Sequence, residues 1–185
     1  MKSLPEVFRK TISFLDKQGF DYLVIGGIAA SILGHPRMTA DVDICIFIKK
    51  SLVKGFLQRA KKDGFTFKEK DIIKKINETG TFQILLNEFH IDFLILSTDF
   101  EKSALARKKR LNIYGIEAPL PTPEDLILFK IIPARHIDLA DAENIVKRHY
   151  GKLDEIYLEK WAMKLSDEAE DMRIYNEVKR LLLLR

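Results

Sequence analysis

Cysteine is almost missing from this 185-residue chain. Cys45 alone forms no internal disulfide and cannot build a thiolate metal centre. Histidine is scarce too: His35, His90, His136 and His149 show no ligand spacing of the His-x-x-x-His kind. No uninterrupted apolar run reaches the roughly 20 residues of a bilayer span. No basic-then-apolar leader opens the chain, so the expectation is a cytoplasmic location and no membrane partner. Internal repeats and low-complexity tracts are missing as well. Neither sign of charge is in large excess: 31 Lys and Arg against 27 Asp and Glu give a net +4 and a pI near 9.0, which favours an anionic partner only mildly. With 46% hydrophobic and 31% charged residues the composition is that of an ordinary globular protein, long enough for one cored domain with an appendage.

Against that plain background, residues 22–48 stand out. An apolar strand over 22–25 stops at Gly26-Gly27, a small apolar helix over 28–33 ends at Gly34-His35-Pro36, and a strand follows over 41–48. In this last strand Val42, Ile44, Ile46 and Ile48 form one apolar face, while the other reads Asp41, Asp43, Cys45, Phe47. Two carboxylates on one strand face stand roughly 6–7 Å apart and repel at neutral pH unless a cation lies between them. A pair of divalent ions, about 3.5–4 Å apart in two-metal phosphoryl-transfer sites, fits that span. The glycine turn is the complement: without Cβ atoms the backbone approaches a phosphate closely, and the helix after it points its amides at the anion. A phosphate cradle beside a carboxylate pair makes a nucleotide site.

Taken in order, Ser3-Leu4-Pro5-Glu6 reads as a capping box for an amphipathic helix that Gly19 stops. After the central unit, Ser51 is placed to cap a helix over 51–63, whose Lys54, Arg59, Lys61 and Lys62 read as a solvated face. A short strand at 65–67 and a helix over 71–78 follow. Residues 81–86 and 89–96 then read as strands joined by a tight Asn87-Glu88 turn. The second repeats the earlier pattern, with His90 and Asp92 preceding Leu94 and Leu96 on one face. If it neighbours strand 41–48, Asp92 comes within roughly one strand spacing, ~4.8 Å, of the aspartate pair. Residues 97–110 are polar, helical from 101, and end in Arg107-Lys108-Lys109-Arg110, which reads equally as a contact for polymer phosphates or as a solvated loop. A strand lies within 112–120. From Thr122 onward the pattern is helical, over 124–132, 138–150, 153–165 and 167 to the end, with Pro133 disturbing the first. The Leu181–Leu184 run either buries against the domain or forms a homodimer contact.

With these residues in view, the chain resembles the polymerase-β-like nucleotidyltransferase superfamily, and more narrowly its small prokaryotic members, which include abortive-infection toxin enzymes. The resemblance rests on Gly26-Gly27, Asp41-Val42-Asp43 and a later strand aspartate, Asp92. It extends to the Arg37-Met-Thr39-Ala-Asp41 spelling, Pro123 to Lys130, Ala134-Arg135 and Asp138-Leu-Ala-Asp141. It implies an α/β (α+β) nucleotidyltransferase fold: a small mixed, twisted sheet flanked by helices over residues 1–120, with a helical C-terminal extension over 121–185. It also implies a Mg²⁺- or Mn²⁺-dependent transfer of NMP from an NTP such as ATP to an acceptor hydroxyl. Asp41, Asp43 and Asp92 would be catalytic and metal-binding; Gly26, Gly27, Arg37, Thr39, Lys130 and Arg135 would bind nucleotide. Many members carry serine where this chain has Gly27. The acceptor is left open among an RNA end, a protein side chain and a small aminoglycoside-like molecule. The alternative is a non-catalytic binding member of a toxin–antitoxin or defence pair.

Overall fold

The computed structural model describes residues 3–184. Among them, α1 (Leu4–Lys17) begins as the capping box requires, with the Ser3 amide donating to Glu6 Oε2 at 2.8 Å. The central sheet has the order β1-β2-β4-β3: β1 (Asp21–Val24), β2 (Val42–Phe47), β4 (Phe89–Ile95) and β3 (Thr81–Leu86). Strands β2 and β4 are parallel, and the two outer pairs are antiparallel, so the sheet is mixed. Helix α2 (Gly26–Leu33) connects β1 to the loop before β2; α3 (Val53–Lys62) and α4 (Glu69–Thr79) lead from β2 to β3. Beyond β4 come α5 (Asp99–Ala106), a hairpin of β5 (Lys109–Ile113) and β6 (Ile116–Leu120), and four helices: α6 (Pro123–Ile131), α7 (His136–Arg148), α8 (Glu155–Ala169) and α9 (Arg173–Leu182). This is the α/β arrangement expected.

The two faces of the sheet divide the work. The even face of β2 (Val42, Ile44, Ile46) is fully buried against α1 and α3. Phe56 is the hub there, with ring centroids 5.5 Å from Phe14 and 5.4 Å from Phe93, while Phe82 and Phe93 stack at 4.7 Å across β3 and β4. On the other face Leu23, Cys45 and Leu96 form a smaller apolar cluster with Ala104 of α5. Only the first turn of residues along that face is left polar, and it is there that Asp43 and Asp92 emerge.

Several local expectations need correction. Ser51 does not cap α3: residues Lys50–Leu52 form a 3-10 turn, and Leu52 occupies the cap with no side-chain bond. The 65–67 strand reduces to a single bridge, Thr66 with Leu85. Helix α4 runs through Asn77 to Thr79, and Gly80 in the left-handed region ends it. The 112–120 strand is a hairpin turning at Tyr114-Gly115, both with positive φ. Leu181 is buried within the chain and Leu182 and Leu184 pack on the core, whereas Leu183 is 75% exposed. Arg185, where the last helix was expected to end, lies outside the described residues. Among the described residues no helix is long and apolar enough to cross a membrane.

Candidate active site

The carboxylates meet because of register. In the parallel β2–β4 pair Asp43 lies directly opposite Asp92, one strand spacing away, about 4.8 Å between backbones. Asp43 is largely buried. Burial raises its pKa above the ordinary carboxylate value, and the neighbouring charges of Asp92 and Asp41 push the same way. The Gly27 amide, 3.4 Å from Oδ2, and Lys130 oppose that shift. Asp92 is steadied from the edge strand, where Gln83 Nε2 donates to its Oδ1 at 2.7 Å. Asp41 stands just before β2, half exposed, its carboxylate 3.7 Å from the His90 ring.

The glycine turn is tied to the carboxylates. Strand β1 runs antiparallel to β2, and Ile25 donates its amide to the Asp43 carbonyl at 2.9 Å, so the chain turns directly over Asp43. Gly26 takes φ +65°, and a Cβ there would lie 1.9 Å from Asp43 Oδ2. Both the conformation and the contact require glycine. Gly26→Ala is therefore expected to displace the Asp43 carboxylate and cost about 1–2 kcal/mol from the backbone alone. A fall in melting temperature checks this, and an alanine variant as stable as the parent would refute it. At Gly27 the neighbour is different: a Cβ would lie 2.6 Å from Thr39 Oγ1 and 3.2 Å from an Arg37 guanidinium nitrogen. The Thr39 hydroxyl thus occupies the space that a side chain at 27 would take, which accounts for the absence of serine there.

Beside the turn lies a chain of ion pairs. Arg37 binds Asp141 through two bonds, Nε to Oδ1 and Nη2 to Oδ2, each 2.8 Å. Lys130, 4% exposed, sits between Asp138 at 3.0 Å and Asp141 at 2.8 Å, and Arg135 closes the row on Asp138. Three cations share two carboxylates, leaving positive charge beside the Asp43–Asp92 pair. Lys130, which the resemblance cast as a nucleotide contact, lines the cleft, but its ammonium is held by aspartates. Pro133 ends α6, and Arg135 then becomes the residue before α7, its side chain 72% exposed.

Gln83, Asp138 and Asp141 were not singled out from sequence as site residues. A glutamine in an alternating strand carries no signal until the β3–β4 register places it beside Asp92. Three of the four residues in the basic run at 107–110, conversely, are occupied within the chain. Arg107 pairs with Asp125 and Glu124 and stacks on Tyr157, Lys108 pairs with Asp21, and Arg110 pairs with Asp16. Its reading as a contact for polymer phosphates loses its support.

The donor set is all oxygen and carries negative charge, the chemistry that suits Mg²⁺ or Mn²⁺. Two carboxylates opposed across parallel strands, one of them largely buried, are residues that fit a divalent ion. Asp43 and Asp92 alone stand side by side; among the described residues no three Asp, Glu, His or Cys side chains are grouped so as to hold a metal ion, so the expected cluster of Asp41, Asp43 and Asp92 is reduced to a pair. A cleft of about 860 Å³ opens over the pair, lined by Gly26, Asp43, Asp92, Lys130, Arg135 and Asp138 at its polar end.

A mixed sheet with carboxylates paired across parallel strands, beneath a glycine turn that opens a helix, is the arrangement that the resemblance to nucleotidyltransferases implied. The chain belongs to the family described as "Nucleotidyltransferase of unknown function (DUF6036)", which it matches over residues 2–182. Among solved structures it is similar to the lincosamide antibiotic adenylyltransferase LnuA in its lincomycin-bound form, with 14% identity, a TM-score of 0.55, and 77% of this chain and 96% of that one covered. It is also similar to the antibiotic-resistance factor ANT(2'')-Ia, with 10% identity, a TM-score of 0.60, and 90% and 95% covered. At these identities the likeness is one of fold. No curated protein matches the sequence.

Proposed function

We propose that this nucleotidyltransferase moves NMP from an NTP to an acceptor hydroxyl with Mg²⁺ or Mn²⁺ held by Asp43 and Asp92, Asp41 joining them from the start of β2. The observation that carries the reading is the opposed Asp43–Asp92 pair beneath the Gly27 amide. The metal would supply charge neutralisation at the phosphates and activation of the acceptor oxygen. The protein's own part is positioning. The amides of Gly26 and Gly27 and the Thr39 hydroxyl line the turn where a triphosphate would lie. Arg37, Lys130 and Arg135 surround it with positive charge, fixed in place by Asp138 and Asp141. Asp92, oriented by Gln83, is the carboxylate on the acceptor side and can take the hydroxyl proton. Preorganised charge of this kind does most of the work in phosphoryl-type transfers.

Mass action supplies the test. Mn²⁺ or Mg²⁺ binds the folded carboxylate pair and not the unfolded chain, so it should raise the melting temperature, and more so with NTP present. At ligand concentrations 100-fold above Kd the stabilisation is about 2.7 kcal/mol, which is roughly 5–10 °C for a chain of this length. Thermal melts with each NTP, with and without metal, measure it. A melting temperature that ignores every combination would contradict the metal and nucleotide assignment.

A further inference from the structure

The cleft over the carboxylates has two unlike ends. Away from the polar end it is walled by Leu94, Phe129, Ile132, Leu165, Ala169 and Ile174. Leu94 continues the β4 face that carries Asp92; Leu165 and Ala169 come from α8 and Ile174 from α9. The C-terminal helices thus make one wall of a cavity that also holds the carboxylates. Its volume and apolar lining are those of sites for small organic molecules.

The nucleotidyl-transfer reading, on which this inference rests, leaves the apolar end unused. Gly27, Thr39 and Arg37, which would meet the triphosphate, are not part of the cleft lining. At the α-phosphorus the attacking oxygen enters opposite the departing pyrophosphate. With pyrophosphate on the Gly27–Thr39–Arg37 side, the hydroxyl must arrive from the cleft. The cleft has no basic track for a polyanion. Its lining carries three cations, Lys75, Lys130 and Arg135, against five carboxylates, Asp43, Asp92, Glu101, Asp138 and Glu168; Lys130 and Arg135 are bonded to Asp138, and three residues of the 107–110 run are paired within the chain.

We infer that the apolar end of this cleft is the acceptor site, and that the acceptor is a small, largely apolar organic molecule bearing a hydroxyl group. The acceptor oxygen forms a bond to the α-phosphorus and the bond from that phosphorus to the pyrophosphate oxygen breaks. The hydroxyl proton leaves to Asp92 or water. Acceptor and NTP become the acceptor–NMP ester and pyrophosphate.

The experiment uses the full chain with Mn²⁺, each NTP labelled at the α-phosphate, and three separated fractions of a cell lysate: small-molecule filtrate, RNA and protein. Label should appear in a new species of the filtrate alone. Ala169→Trp and Ile132→Trp fill the apolar end from two walls at exposed positions. Each should lower that labelling by about 10-fold or more while keeping the parental thermal shift with Mn²⁺ and NTP. Label in RNA or protein overturns the inference, as does undiminished labelling by both variants. So does loss of the NTP-dependent shift in both variants, which would put the nucleoside at the apolar end. Absence of label from every fraction while NTP still raises the melting temperature overturns the acceptor assignment alone. Absence of both label and thermal shift in the parent removes the nucleotidyl-transfer reading itself, and the inference with it.

Discussion

Asp43→Asn is expected to reduce transfer on the order of 10²-fold or more, since even a displacement of an ångström at the reacting atoms costs that much. The fold should survive. Asparagine has the shape of aspartate, and the charge it removes is one that burial and the Asp92 and Asp41 carboxylates already disfavour. The metal-free variant should therefore melt at or above the parental temperature, while the rise produced by Mn²⁺ and NTP shrinks. That pairing of a stable protein with a silent site is the signature to look for, by turnover and thermal melts side by side. A variant with parental turnover would reduce the Asp43–Asp92 pair to a strand end. Asp41→Asn is the milder probe, because Asp41 lies outside β2, half exposed and beside His90.

Lys130→Met has the second large effect, and it falls on stability. On sequence grounds Lys130 is a phosphate ligand, so its loss should first weaken nucleotide binding. In the structure its ammonium is buried between Asp138 and Asp141, and methionine would leave Asp138 to Arg135 and Asp141 to Arg37, with the buried space between them losing its cation. Breaking a buried pair from one side costs up to about 3–5 kcal/mol where the charge is left alone; with Arg37 and Arg135 remaining on the aspartates the expected loss is below that range, a fall of several degrees in melting temperature. The pH dependence carries a sign. Burial raises the pKa of Asp141, but the bonds from Arg37 and Lys130 more than offset it and hold the pKa below the ordinary carboxylate value. The stabilisation from Asp141 is thus full above about pH 4, the unfolded value, and is lost as pH falls through the lower folded pKa. Parent and variant should converge as the medium is acidified below that point. Melts of Lys130→Met that match the parent at pH 7 would show that the triad is not holding the fold.

Much of this protein is legible because the information is local. The capping box at Ser3–Glu6, the strand period that sets Val42, Ile44 and Ile46 against Asp43 and Cys45, and the halt at Gly26-Gly27 each depend on residues a few positions apart. A strand that begins polar and turns apolar on one face marks a site at its entrance, and two such strands pointed to Asp41 and Asp43 on one and Asp92 on the other. What sequence could not settle is which charges are already taken. Arg37 finds Asp141 from 104 positions away, and Lys108 and Arg110 find partners 87 and 94 positions away. A run of four basic residues looks the same whether solvated, bound to phosphate or neutralised by the far side of the domain. The register that opposes Asp43 to Asp92 and sets Gln83 beside it is fixed when two apolar faces bury together, a one-residue slip moving every side chain to the wrong side. Sequence by itself determined the chemistry available: carboxylates, a glycine turn and nearby cations. Only the tertiary structure decided which cations are committed to aspartates, and placed the apolar cavity next to the reacting edge, because α8 and α9 meet the sheet only through the packed core.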